Sequence, residues 1–191
     1  MNPSEKTTPG HFHAVRFYQD GESLCRIVTD FLGEGLDAGH PCIVIATQPH
    51  RAGIVDHLRR RAIDVPAAER NGDLLLLDAE EMLAKFMVGG TPDHRKFDSS
   101  VGALLRRVCR ARQDSTLRAY GEMVDVLWKA GQSVAAIKLE MLWNSLSSTQ
   151  EFSLLCGYAM GNFYKDATGV EEICRHHSHL VSDSADTAAV A

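Results

Sequence analysis

The feature that most constrains this chain is a set of short runs that are apolar at every position. Residues 42–46 read CIVIA, 74–77 read LLLL and 152–158 read FSLLCGY. A strand with one wet face alternates apolar and polar residues. A run that is apolar on both faces fits a strand covered on both sides, as in a parallel sheet between two helical layers. Residues 13–18, rich in β-forming side chains, and the weaker run 117–121 complete five predicted strands.

Helical patterns lie between them. Leu24, Ile27, Val28, Phe31 and Leu32 follow the i, i+3, i+4, i+7, i+8 spacing of a one-sided apolar helix. Asp20 or Ser23 can cap it, and Gly39 stands just past its end. Val101, Leu104, Leu105, Val108 and Cys109 repeat the pattern. Ala135, Leu139, Leu142 and Leu146 mark a third face, widened by Ile137 and Met141. Shorter helices are predicted over 51–60, 80–88, 124–130 and 170–177. The resulting order, βαβαβααβααβα, predicts an α/β fold: a single three-layer α/β/α domain around a mostly parallel, five- to six-stranded sheet. Residues 1–10 and 181–191 lack apolar periodicity and are expected to be flexible tails on a domain spanning 11–180.

Composition supports one globular domain, with 45% apolar and 24% charged residues in 191. A net charge of −5 argues against a binder of nucleic acid driven by positive charge. No run reaches the roughly 18 apolar residues of a membrane span. The polar start of the chain does not resemble a secretory signal. The five cysteines form no CxxC pair, which points to reduced thiols and a cytoplasmic protein. Cys42 and Cys156, inside apolar strands, read as inert core thiols.

In such sheets ligands sit beyond the carboxyl ends of the strands. The candidate ligand site therefore takes Tyr18, Asp20 and Glu22 as one wall, with Thr47 and Asp78 beside them. Glu122 would orient a polar group, and Tyr158 and Met160 would supply apolar contact. Some of these have structural readings too. Asp20 can be only a helix cap, and Asp78, followed by Glu81, fits a capping box with Asp in the first position. Glu122, between a strand and an apolar helix, needs a partner or water.

The absences narrow the function. The chain has no GxxxxGK[ST], no GxGxxG and no GxSxG, which counts against a nucleotide triphosphatase, a dehydrogenase and a serine hydrolase. His176, His177 and His179 cluster near the end, and His13 could complete a metal site with His177 or His179. Their spacing matches no established zinc motif, and histidines also suit a helix C-terminus. Arg59 to Arg61 and Arg106, Arg107, Arg110 and Arg112 read as solvated helix faces, or as a surface for an acidic partner.

Taken in order, several segments resemble one family. They are His13-Ala-Val-Arg-Phe-Tyr18; Phe31-Leu-Gly-Glu-Gly-Leu36 with Gly39; Val44-Ile-Ala-Thr47 with His50-Arg51; and Leu75-Leu-Leu-Asp-Ala-Glu-Glu-Met-Leu83. They continue with Arg118-Ala-Tyr-Gly-Glu-Met-Val124, Leu127-Trp128, Leu142-Trp143-Asn144, Phe152-Ser-Leu-Leu-Cys156, and Ile173-Cys174 with His177-Ser-His179. Together they are similar to the MEDS domain, the sensory domain of methanogens, methylotrophs and the DcmR regulator. The resemblance implies a RecA/KaiC-like fold without a P-loop. It implies a sensory role, with small organic ligands such as hydrocarbon derivatives. Family members are often fused to a helix-turn-helix or a histidine-kinase-type output.

Here the residues outside the resemblance are too few for either output. The chain is expected to signal in trans, to a histidine kinase or a transcription regulator, or to be a piece of a longer sensor. The expectation is thus a ligand-sensing module, not an enzyme, without a cofactor, capable of forming a homodimer, and contacting neither nucleic acid nor membrane. The alternative is a protein–protein regulator with a vestigial pocket, docking through Trp128, Trp143 and the arginine faces. A less favoured alternative is an enzyme using Glu122 with a histidine or a metal.

Overall fold

The computed structural model describes residues 12–112, 115–163 and 167–181. The expected tails lie outside these residues except for Val181, whose N–H donates to the Val15 carbonyl (2.9 Å). The chain runs β1 (His13–Tyr18), α1 (Gly21–Asp37), β2 (Cys42–Ala46), α2 (Gln48–Arg60), α3 (Val65–Asn71) and β3 (Leu74–Asp78). It continues through α4 (Ala79–Phe86), the short hairpin β4 (Met87–Val88) and β5 (Thr91–Pro92), α5 (His94–Phe97), a π-helical turn (Asp98–Gly102) and α6 (Ala103–Ala111). Then come β6 (Leu117–Gly121), α7 (Met123–Lys129), α8 (Ser133–Ser147), β7 (Phe152–Ala159), a 3₁₀ turn (Met160–Phe163), α9 (Ala167–Arg175) and β8 (His179–Leu180).

Six strands form one sheet in the order β3-β2-β6-β7-β1-β8, and every pairing in it is parallel. The double-sided apolar runs are explained by the two layers they divide. Val44, Tyr120 and Leu155 pack with α1, α2 and α3; Ile43, Ile45, Ala119 and Leu154 pack with α4 to α9. Adjacent residues thus serve opposite cores, and each needs an apolar side chain. Cys42 is buried in the first of these cores, and burial pushes its thiol up to about 12.

Local chemistry sets the boundaries. Asp20 accepts from the Ser23 N–H (2.8 Å) and starts α1, whose stripe of Leu24, Val28 and Leu32 is buried. Asp78 ends β3 and caps α4 by accepting from Glu80 N (2.9 Å) and Glu81 N (3.1 Å). The helix predicted to reach residue 88 stops at Phe86, because Gly89 and Gly90, both at positive φ, turn the chain into the β4–β5 hairpin. In β7 the backbone itself must make room for a ring. A Cβ on Gly157 would stand 2.7 Å from the Tyr120 hydroxyl, so only glycine lets that ring lie flat across the sheet.

Trp128 and Trp143 are both buried in the larger core, so they do not form the exposed docking surface that one sequence reading assigned to them. Three arginines of the basic helix faces are tied into ion pairs across elements. Arg61 reaches Asp30 (2.7 Å), Arg106 reaches Asp98 (2.7 Å), and Arg112 pairs with Asp73.

Candidate functional site

All five main strands point their carboxyl ends to one edge of the sheet. Glu122 follows the last residue of β6 there, held by its N–H to the Ile45 carbonyl (3.0 Å). Its side chain is 2% exposed. One oxygen accepts from the Thr47 backbone N–H; the other meets His50 Nδ1 (2.6 Å) and accepts from the Tyr120 hydroxyl (3.1 Å). Burial works to raise the carboxyl pKa, but His50 and the Thr47 N–H outweigh it and hold Glu122 below the ordinary carboxylate value. Since Nδ1 of His50 faces the carboxylate, Nε2 is left for other partners. A Cβ on Gly21 would lie 3.3 Å from Nε2, so the glycine keeps that nitrogen uncovered, and the ring is 18% exposed.

Tyr18 stands edge-on to His50, with ring centres 5.6 Å apart. Its hydroxyl donates to Asp125 Oδ2 (2.9 Å). Burial, then the Asp125 carboxylate, push this hydroxyl far above its ordinary pKa, so it is a permanent donor. Asp125 also accepts from Ala159 N (3.0 Å) and Asn162 Nδ2 (2.6 Å), and pairs with Lys129 Nζ (2.7 Å). One carboxylate therefore ties together the ends of β1 and β7, the start of α7 and the 3₁₀ turn. The edge carries a continuous polar layer from Thr47 through Glu122, His50, Tyr18 and Asp125 to Lys129. It can orient a polar ligand group at His50 Nε2.

The eight sequence candidates do not share one cleft. Tyr18, Thr47 and Glu122 come together, with Thr47 contributing its backbone. Asp20, Glu22 and Met160 line an open groove of about 460 Å³ with Arg16, Phe17 and Arg26. Asp78 stands beside Ala46 in the neighbouring strand, but its carboxylate is taken up in capping α4 and pairing with Arg51 (2.9 Å). Tyr158 is buried on the α8 face of the sheet, where its hydroxyl donates to Glu140 Oε1 (2.8 Å). The reason is strand parity: Tyr158 shares a face with Cys156 and Leu154, whereas Tyr120 sits on the α1 face.

Sequence reasoning met His50 at the end of the second strand without choosing it as a site residue, and missed Asp125 and Glu140. A usable signal existed for the carboxylates, because Asp125 interrupts the apolar run MVDVLW and Glu140 lies in the buried stripe of Ala136, Leu139 and Trp143. A charge inside an apolar stripe demands a partner.

Around Glu140 the structure gathers the one group, among the described residues, able to hold a metal. It comprises His13 Nε2, Glu140, Cys156 Sγ and His177 Nε2, with donor atoms all within 4.8 Å of one another. His13 and His177 were candidates from the sequence. His179 is not in the group; its Nδ1 bonds the Ser178 hydroxyl (2.8 Å) and its ring packs on Phe12. Burial raises the Glu140 pKa, whereas the Tyr158 hydroxyl and positive charge on the His177 and His13 side of the carboxylate lower it. Burial pushes the His177 imidazole down and the Cys156 thiol well up.

No helix among the described residues is long and apolar enough to cross a membrane. No curated protein matches this chain. A family model does: MEDS, the MEthanogen/methylotroph, DcmR Sensory domain, matches residues 12–178. That span takes in every strand but the last two residues of the sheet and both polar clusters, and it makes the chain a member of the MEDS family of sensory domains.

Proposed function

We propose that this domain senses a small organic molecule at the carboxyl edge of the sheet and passes the signal to a partner protein. The carrying observation is the buried Glu122–His50 pair, which meets solvent only through the imidazole. A buried, fully bonded carboxylate that orients a part-exposed ring is an arrangement suited to recognising a polar group. Tyr18 and the backbone of Thr47 set the polar floor. Asp20, Glu22 and Met160 form the groove beyond the β1–α1 turn, where the ligand's remaining bulk would lie. Asp78 and Tyr158 are left out of this site. The partner would be met in trans, and Val134 and Met141, both exposed on α8, offer it an apolar hold. The chemistry is recognition, and no catalytic step is assigned.

The test is a titration with short-chain alcohols, amines, carboxylates and haloalkanes, followed through the imidazole resonances by NMR. Saturable shifts of the His50 ring are expected for one class. They should vanish in Glu122→Gln and His50→Ala and persist in His94→Ala. Shifts that survive both substitutions, or no saturable shift with any class, would overturn the assignment.

A further inference from the structure

Two imidazoles, one carboxylate and one thiol share a space from which solvent is almost excluded. The side chains of His13, Glu140 and His177 are 6%, 0% and 1% exposed. They come from four elements: His13 from β1, Glu140 from α8, Cys156 from β7 and His177 from the link between α9 and β8.

The hydrogen bonds around the two rings fix what they present. His13 Nδ1 lies 2.9 Å from Asn144 Oδ1. The Asn144 amide is oriented by its Nδ2, which donates to the His176 carbonyl (2.9 Å), so Oδ1 is the atom facing the ring. An amide oxygen only accepts, so Nδ1 of His13 carries the hydrogen. His177 Nδ1 lies 2.7 Å from the Ile173 carbonyl and must donate as well. In the neutral rings both Nε2 atoms therefore present lone pairs, and both face Glu140, at 3.3 and 3.5 Å. Among the described residues, Nε2 of His177 is buried without a hydrogen-bond partner. Lone pairs turned on a carboxylate repel unless something positive stands between them. Protonating both rings would bury two cations against one anion in a space closed to water.

The spacing says what could stand there. Around a tetrahedral zinc-type ion, bonds of about 2.0–2.3 Å put neighbouring donors roughly 3.3–3.6 Å apart. His13 Nε2 is 3.4 Å from Cys156 Sγ and 3.3 Å from Glu140 Oε2, and Sγ is 3.7 Å from that oxygen; His177 Nε2 is 3.5 Å from the other carboxylate oxygen, Oε1, and the four donors lie within 4.8 Å of one another, so small side-chain shifts would close them on one ion. The outer bonds fit too. Ligating histidines donate their other N–H to a carbonyl or amide oxygen, and ligating carboxylates are themselves hydrogen-bonded, as Glu140 is by Tyr158.

We propose that His13, Glu140, Cys156 and His177 bind one divalent transition-metal ion of the zinc class. Two imidazoles, a thiolate and a carboxylate are a borderline donor set that disfavours magnesium and calcium. Binding converts the Cys156 thiol to thiolate and releases its proton to solvent. The thiolate and the Glu140 carboxylate then balance the two charges of the ion, and both rings stay neutral. With four protein donors the site is structural in type. It pins the α9–β8 link to α8 and the sheet. It lies on the face opposite α1, and the ligand site at the carboxyl edge does not depend on it.

The whole chain, stripped with a chelator, titrated with Co²⁺ and read by absorption, tests this. One equivalent should produce the intense visible bands of tetrahedral cobalt with a thiolate-to-metal charge-transfer band, and Zn²⁺ should displace both. Cys156→Ala should abolish the charge-transfer band, and His177→Ala should weaken binding by about tenfold or more. His179→Ala should bind as the parent does. Absent uptake, a weak octahedral spectrum, or a charge-transfer band that survives Cys156→Ala would overturn the site. Should either variant fail to fold, the parent spectrum still decides, because a charge-transfer band at one equivalent requires a thiolate ligand.

Discussion

Two buried glutamates divide the polar chemistry of this domain, and the donors around them differ. Each has an imidazole and a tyrosine hydroxyl on its carboxylate: His50 and Tyr120 for Glu122, His13, His177 and Tyr158 for Glu140. Glu122 also takes a backbone N–H, so its bonds are complete, and its imidazole reaches the surface. Glu140 faces ring nitrogens whose hydrogens are spent elsewhere, in a space closed to water. The first arrangement is stable as it stands and open to a visitor. The second is balanced only with added positive charge. Burial alone therefore does not say what a carboxylate is for; the inventory of donors around it does.

The largest expected effect separates the two directly. With the metal bound, Glu140→Ala removes one ligand and strands the Tyr158 hydroxyl in a dry core, and should cost about 3–5 kcal/mol in urea unfolding. Glu122→Ala should cost less, about 1–3 kcal/mol, since water can enter beside His50 and rebond the freed donors. Equal losses would break the contrast. Next, Gly157→Ala forces a methyl against the Tyr120 hydroxyl and should cost about 1–3 kcal/mol. Tyr120→Phe in that background removes the colliding oxygen and should recover part of the loss, while releasing one bond from Glu122.

Acid sharpens the comparison. The Glu122 carboxyl is held below its ordinary value, so the unfolded chain takes up this proton first. Its contribution to stability is complete above the unfolded glutamate pKa of about 4.3 and is lost as pH falls through the lower folded value. Urea midpoints should decline below about pH 4.3, and Glu122→Gln should make that decline shallower. The smallest effect is at the groove. Asp20→Ala removes the cap of α1 and should cost about 1 kcal/mol without moving the His50 resonances. A shift there would show that groove and edge act as one.

Much of this architecture was legible in the sequence, and the limits have physical causes. β2, β3 and β7 announced themselves because a strand between two cores is apolar at every position. β8 did not, because a two-residue strand holding a histidine carries no period, and its place is decided by the Ala14 and Val15 backbone it meets. The ligand candidates were chosen by strand end, and Tyr18 and Glu122 do lie at one edge of the sheet. Strand end says nothing of face, and Tyr158 went to the other layer for that reason. His50 stood one residue past a proline at the same edge and carried no pattern of its own. Glu140 was visible in principle as a charge in an apolar stripe. Its partners, drawn from positions as far apart as His13 and His177, exist only in the folded chain.

The two residues of β8 bear on how these molecules meet one another. They lie along the outer rim of β1, pairing with Ala14 and Val15. Without them that rim would offer a row of unsatisfied amides and carbonyls beside apolar side chains, a template on which a strand from another molecule can grow. His179–Leu180 is thus a guard against self-templating as well as a piece of sheet. A lesion that loosens it would show first as turbidity at high concentration, well before any loss of helical signal.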